Sequence, residues 1–307
     1  MIAENPSSRQ PSQRWSPAHL AALLAANVAL ALGPWLVRLA DTGPVAAGFW
    51  RLALALPVIF ALSLREPAER RRVSGVTLAL VAGAGAFFAV DLASWHIGIG
   101  MTKLGNAAVF GNAGGVILMV WGLVAARRAP HPPELVAVAA ALGGAALLMG
   151  ASLEISHASF MGDLFCLFAG VCYAVYILML KPARARLGQF SLLFWSILAG
   201  LPILAAASML RGETFVPHDW TPLLTLAMSS QVIGQGLLIY SLRNFPPLVI
   251  GLALMAQPAI AALAGWLAFG EVLSGHDMLG MVLLGGALAA ARAADRPVQD
   301  PNSSAGR

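Results

Sequence analysis

FWRLALALP, residues 49–57, carries a charge, Arg51, inside a run that is otherwise apolar from Val45 to Leu64. The phrase returns as FWSILAGLP at residues 194–202, with Ser196 where Arg51 stood. An apolar run of about 20 residues is long enough to cross a bilayer as a helix. The stretch therefore poses two questions. Why does a membrane segment carry a charge, and why is it written twice with the charge in one copy only?

Composition makes the membrane reading general. The 307 residues are 59% hydrophobic and 11% charged, and the mean hydropathy is +0.77. A soluble chain of this length carries far more charged surface. Apolar runs near residues 18–37, 45–64, 75–99, 104–126, 134–151, 159–180, 190–210, 221–241, 247–269 and 275–293 predict ten transmembrane helices. Turn-forming phrases separate them, among them Asp41-Thr42-Gly43-Pro44, Lys181-Pro182 and Phe245-Pro246-Pro247. With ten spans both termini share one side, and 15 of the 19 Lys and Arg fall on it, clustered at Arg65/Arg70/Arg71/Arg72, Arg127/Arg128, Lys181/Arg184/Arg186 and the tails. The opposite side has Arg38, Lys103 and Arg211, and Arg51 belongs to neither. Positive charge gathers on cytoplasmic loops, so both termini are expected in the cytoplasm. Residues 1–17 then form a disordered tail without the apolar core of a signal peptide, and residues 294–307 form a second tail.

The repeated phrase places Phe49, Trp50, Leu56 and Pro57 against Phe194, Trp195, Leu201 and Pro202. Each copy is the second span in a set of five, giving halves at 18–151 and 159–293. The fourth and ninth spans also align, with Gly115 of GNAGG opposite Pro258 of MAQPA. Five is odd, so two related halves must enter the membrane in opposite orientations. The expected fold is all-α and integral to the membrane, as two inverted five-helix repeats of the kind secondary transporters use.

Ten spans in halves of five, the FWR phrase in the second span and MAQPAIAALAGWLAFGE in the ninth resemble the EamA-type drug/metabolite transporter superfamily. The likeness covers about residues 18–292 and looks closest to the YddG-type exporters of aromatic amino acids. It implies export of aromatic and other bulky hydrophobic amino acids from a bacterial cytoplasm, across the inner membrane. Its motifs are mostly small and apolar, so they specify fold better than substrate.

Polar residues at membrane depth are the candidate site. A central charge costs about 2.5–3.5 kcal/mol on insertion scales and calls for a partner, a watery cavity or a route to the interface. Arg51 lies roughly 10 Å into its span at 1.5 Å per residue, and Asp91 of the third span sits at similar depth. They are expected either to pair structurally, with snorkelling as an alternative for Arg51, or to act on substrate and protons. Trp95 shares the face of Asp91 one turn on, and His96 follows it, more simply a satisfied interfacial histidine than a proton carrier. The neutral set is Asn27, Trp50, Asn106, Asn112, Tyr173, Tyr176, Gln231, Gln235, Tyr240 and Gln257. Each amide alone reads as interhelical glue; together they describe a neutral, aromatic cavity wall suited to zwitterions or neutral drugs. Sugar phosphates would ask for several inward Lys or Arg. Gly111 and Gly115 form GxxxG, and with Pro258, Pro57 and Pro202 they are candidate hinges or plain kinks.

No HExxH, GxSxG or Walker lysine motif occurs, so no enzyme, ATP-driven pump, metal or cofactor is expected. Cys166 and Cys172 share one span, which argues against a structural disulfide. The basic residues are scattered over loops, so nucleic acid is not a partner. The expected partners are the lipid bilayer and a small hydrophobic amino acid, and a monomer is compatible with the pattern. The rival transport function is broad efflux of neutral or cationic drugs, for which Asp91 is the deep carboxylate.

Overall fold

The computed structural model describes residues 16–73, 75–102, 104–125, 130–150 and 157–257, with isolated positions beyond, and no strand occurs among them. The helices are α1 (Pro17–Ala31), α2 (Gly33–Leu39), α3 (Pro44–Ser63), α4 (Gly75–Met101), α5 (Leu104–Gly111), α6 (Ala113–Ala125), α7 (Pro132–Gly150), α8 (His157–Arg184), α9 (Gln189–Leu210), α10 (Thr221–Leu226), α11 (Gly236–Leu242) and α12 (Pro247–Leu254). A π-helical segment, Ala227–Gln235, joins α10 to α11 without a break.

Pro17, Pro34, Pro44, Pro222 and Pro247 each stand in the first turn of a helix. There proline's missing N–H costs nothing and its fixed φ favours the helix. Six segments are long and apolar enough to span a membrane: Pro17–Leu39, Pro44–Ser63, Gly75–Met101, Phe160–Arg184, Gln189–Leu210 and Thr221–Leu242. Large apolar side chains such as Val28, Trp121, Val124, Phe168, Met209 and Leu210 point outward. An apolar exterior with a packed interior is what lipid contact requires. The chain is a multi-pass helical membrane protein.

The expected fourth span, 104–126, is not one helix. It breaks at Asn112, whose Nδ2 donates to the Ala108 carbonyl, one turn earlier. An amide that bonds its own backbone competes with the helical ladder and favours such a break. Most of the tenth expected span, and Pro258, lie outside the described residues.

The long helices pack in antiparallel fashion. Along α4 and α8, a Cβ on Gly98 would meet Cys166 and Gly162, while nearer the start of α4 Phe88 stacks on Tyr176 at 4.6 Å. Where α4 crosses α9, Gly85 lies against the Ser196 carbonyl, and a Cβ on Gly200 would come within 2.9 Å of the Gly85 carbonyl. Only glycine allows backbones this close.

Two sets of contacts tie the ends of the bundle. At one end Glu213 Oε2 accepts from the Val45 and Ala46 amides at 2.9 Å each, in the first turn of α3. At the other, Glu66 accepts from the Phe190 and Ser191 amides at 2.9 and 3.0 Å, in the first turn of α9. Each glutamate follows the C-terminus of one helix and caps the N-terminus of the other, so α3 and α9 are antiparallel. Basic residues repeat the pattern. Arg38 Nη2 donates to the carbonyls of Ile99 and Thr102, 61 and 64 residues ahead, at 3.0 and 2.9 Å. Lys181 Nζ donates to those of Leu242 and Phe245, again 61 and 64 residues ahead, at 2.8 and 2.6 Å. Each base serves the free carbonyls at a helix C-terminus, where cations are favoured.

Candidate functional site

Inside the bundle is a chamber of about 80 Å³. Its wall comes from the α1–α2 junction (Leu30, Ala31, Pro34), α3 (Arg51), α4 (Phe88, Asp91, Leu92, Trp95), the α5–α6 junction (Ala108, Gly111, Asn112), α8 (Tyr173), the π-helical segment (Ser230, Gln235) and Gln257. A single water needs roughly 10–15 Å³, so the chamber holds several waters or a small polar molecule. Residues before 113 and after 172 contribute together, so it lies where the two stretches of chain meet.

The expected ion pair is not made. Arg51 and Asp91 are 3% and 8% exposed and line one chamber. No ion pair within 4 Å joins them, whereas Arg211 pairs with Glu213 at 2.8 Å near the end of α9. Arg51 instead donates through Nε to Gln231 Oε1 at 3.2 Å. The chamber keeps the guanidinium and the carboxylate apart, and the amide of Gln231 takes the place of the acid. A buried carboxylate without a partner is costly unless water or a ligand meets it, so the charges and the cavity have one explanation.

The π-helical segment shapes the amide wall. Widening of the helical turn is rare and concentrates at functional sites. Here it holds Ser230, Gln231 and Gln235, all at most 1% exposed. Gln235 Nε2 donates to Tyr173 Oη at 3.3 Å. That leaves Gln235 Oε1 unpartnered, along with Ser230 Oγ and Gln231 Nε2. Gln257 donates to Asn27 Oδ1 at 3.2 Å, and Asn27 Nδ2 in turn donates to the Leu23 carbonyl at 2.8 Å. Trp95 is held between glycines: a Cβ on Gly33 would sit 3.4 Å from its ring, and one on Gly111 2.7 Å from its Nε1.

Of the residues singled out from sequence, Arg51, Asp91, Trp95, Gly111, Asn112, Tyr173, Gln235 and Gln257 meet at the chamber, with Gln231 and Asn27 directly behind it. Others stand elsewhere. Trp50 donates through Nε1 to the Phe215 carbonyl at 2.6 Å and packs edge-on against Trp220, clamping the α9–α10 loop. Tyr176 is fully buried on Phe88. Tyr240 packs on His19, 5.7 Å between ring centres. His96 is buried with Nδ1 2.8 Å from the Pro44 carbonyl. Gly115 belongs to the α6–α12 crossing, where its Cβ would meet the Gly251 carbonyl at 2.9 Å. Pro57 and Pro202 lie inside α3 and α9, whose helical paths continue through them. The side chain of Asn106 and all of Pro258 fall outside the described residues. Phe88 and Ser230 were missed; Phe88 lies one turn before Asp91, and Ser230 neighbours Gln231, so proximity to the polar positions was the available signal.

Residues 160–291 match the EamA-like transporter family. The threonine/homoserine exporter RhtA of Escherichia coli is 27% identical over 241 residues, covering 77% of this chain and 78% of that protein. A probable amino-acid metabolite efflux pump of the same organism is 24% identical over 251 residues, covering 78% and 81%. An uncharacterized transporter of Archaeoglobus fulgidus is 23% identical over 246 residues, covering 76% and 83%. A crystal structure 15% identical in sequence superposes with a TM-score of 0.74 over 92% of this chain and 99% of its own. That likeness is one of fold. The matched stretch includes Tyr173, Ser230, Gln235 and Gln257, so part of the chamber wall lies within it.

Proposed function

We propose that this chain is a secondary transporter that exports neutral amino acids from a bacterial cytoplasm, working by alternating access across the inner membrane. The observation that carries the reading is the chamber, in which a buried cation and a buried anion face one space without joining. The exporters named among its relatives point to amino acids as the cargo class. Phe88, Trp95 and Tyr173 in the wall favour bulky apolar and aromatic side chains.

The reading includes ten spans, both termini cytoplasmic and inverted halves at 18–151 and 159–293. Supporting it, the Arg38 and Lys181 contacts repeat at identical spacings at opposite ends of an antiparallel bundle. The Glu66 and Glu213 caps do the same for α3 and α9. Two inverted halves exchanging shapes would open the chamber to either side in turn. The remaining polar wall residues act in this scheme as positioning groups, and no enzymatic step is assigned.

Counterflow in proteoliposomes, with labelled threonine and labelled phenylalanine measured separately, tests the reading. Saturable exchange of either supports it; exchange of phenylalanine in preference to threonine supports the aromatic range. Absence of both refutes it. The unpaired carboxylate of Asp91 favours a second reading, efflux of cationic drugs. Movement of a cationic dye without amino-acid counterflow would select that one.

A further inference from the structure

Resting on the transport reading, we infer that Arg51 and Asp91 are the two poles of a zwitterion subsite: Asp91 takes the α-ammonium and Arg51 the α-carboxylate of one amino acid. Both side chains are buried, both line the chamber, and they stay more than an ion-pair distance apart. The sign of each charge sorts the poles, and unpartnered polar atoms stand in or behind the same wall. Gln231 Oε1 holds Arg51 Nε, which orients the guanidinium and leaves its terminal nitrogens as donors. The amide nitrogen of Gln231, another donor, has no partner. Elsewhere in the wall Tyr173 Oη accepts from Gln235 Nε2, which leaves Gln235 Oε1 as an acceptor without a donor. Ser230 Oγ, also unpartnered, is a further acceptor in the wall.

Charge balance selects the ligand class. The two protein charges cancel overall but are separated in a low-dielectric space, where a leftover charge is expensive. A monocation would answer Asp91 and leave Arg51 bare; a monoanion would do the reverse. A molecule of zero net charge with opposite poles on adjacent groups answers both, and an α-amino acid is such a molecule. The polar ends are then recognised strictly while the side chain meets Phe88 and Trp95. Guanidinium–carboxylate hydrogen bonds are geometrically demanding as well as strong.

The test is displacement of labelled L-threonine and L-phenylalanine from the detergent-solubilised full chain by the free amino acids, their N-acetyl derivatives and their methyl esters. In the unsubstituted protein each blocked form should compete roughly tenfold or more worse than the free form, the scale of one lost charge-assisted hydrogen bond. In Asp91→Asn the free amino acid should weaken by a similar factor, and the penalty for N-acetylation should shrink to under about threefold. The ester penalty should remain. Arg51→Gln should show the mirror pattern, and Asp91→Glu and Arg51→Lys should preserve the ranking. An N-acetyl form that competes as well as the free amino acid overturns the ammonium pole. An equally good ester overturns the carboxylate pole. These two comparisons need no variant, so misfolding of a substituted chain leaves the proposal open to refutation. Counterflow without the end-specific pattern would overturn the pole assignment alone, whereas no binding and no counterflow would overturn the transport reading itself.

Discussion

Glu213→Ala should destabilise the protein by about 2 kcal/mol. The carboxylate accepts two backbone N–H groups in the first turn of α3, each at 2.9 Å, and its side chain is only 6% exposed. Losing a capping acceptor costs typically about 1 kcal/mol. Losing its charge at a helix N-terminus removes roughly 0.3–1 kcal/mol more, and a shielded amide left bare adds to this. Glu213→Gln keeps one oxygen acceptor and removes the charge, so it should cost about half as much. Glu66→Ala should match Glu213→Ala, because Glu66 makes the same pair of amide contacts to α9 and adds the Ser191 hydroxyl at 2.6 Å. The caps stand at opposite ends of α3 and α9, so the double variant should show additive losses. Thermal unfolding of the solubilised chain, followed by tryptophan fluorescence, measures this. A drop of about 4–8 °C is expected for each alanine variant, at the scale found for domains of 150–250 residues. Both alanine variants melting within about 1 °C of the parent would refute the capping argument, since the stated contacts would then contribute nothing.

Gly111→Ala would place a Cβ 2.7 Å from Trp95 Nε1, so it should displace the indole and lower counterflow several-fold while leaving expression nearly intact; unchanged transport would count against a chamber shaped by Trp95. Gly85→Val would drive a side chain into the Ser196 backbone and should cost about 1–3 kcal/mol by overpacking, read as a lower melting temperature. Trp50→Phe keeps a ring but loses the bond to the Phe215 carbonyl, and should increase proteolytic nicking of the 211–220 loop with little change in amino-acid binding. Asp41, outside the spans, has its pKa lowered from 3.8, chiefly because it accepts the His218 amide, at 2.8 Å. A depressed carboxylate contributes stability that is present above its ordinary value and lost as pH falls through the lowered one. Amide-exchange protection at His218 should therefore fall on acidification below that range, and Asp41→Asn should show the loss already at neutral pH.

Much of the fold was legible because membrane helices announce themselves by length and apolarity. Pro17–Leu39, Pro44–Ser63 and Gln189–Leu210 lie within a few residues of the runs read from sequence. The fourth run was read as continuous because hydropathy is blind to a side chain bonding its own backbone; Asn112 looks polar, and its geometry makes it a break. The π-helical widening at Ala227–Gln235 was equally invisible, since no residue type encodes it. Among site candidates, depth in the span identified Arg51, Asp91, Gln235 and Tyr173. It could not separate them from Trp50, which closes a loop, or Tyr176, which fills the core.

By itself, the sequence determined that this is a helical membrane protein, where its segments begin, and that one arginine is left at membrane depth in one copy of a repeated phrase. Those properties follow from local length, transfer energy and charge, which need no neighbours. What Arg51 does was decided only by tertiary structure. The sequence pointed to Asp91 as its partner, but Gln231, 180 residues away, takes its Nε, and Asp91 lines the same cavity without pairing with it. Separation of charges by a few ångströms is set by how helices cross, and glycine contacts such as Gly85 with Ser196 set those crossings. The lone charge of FWRLALALP is thus one wall of a chamber that exists only once the chain is packed.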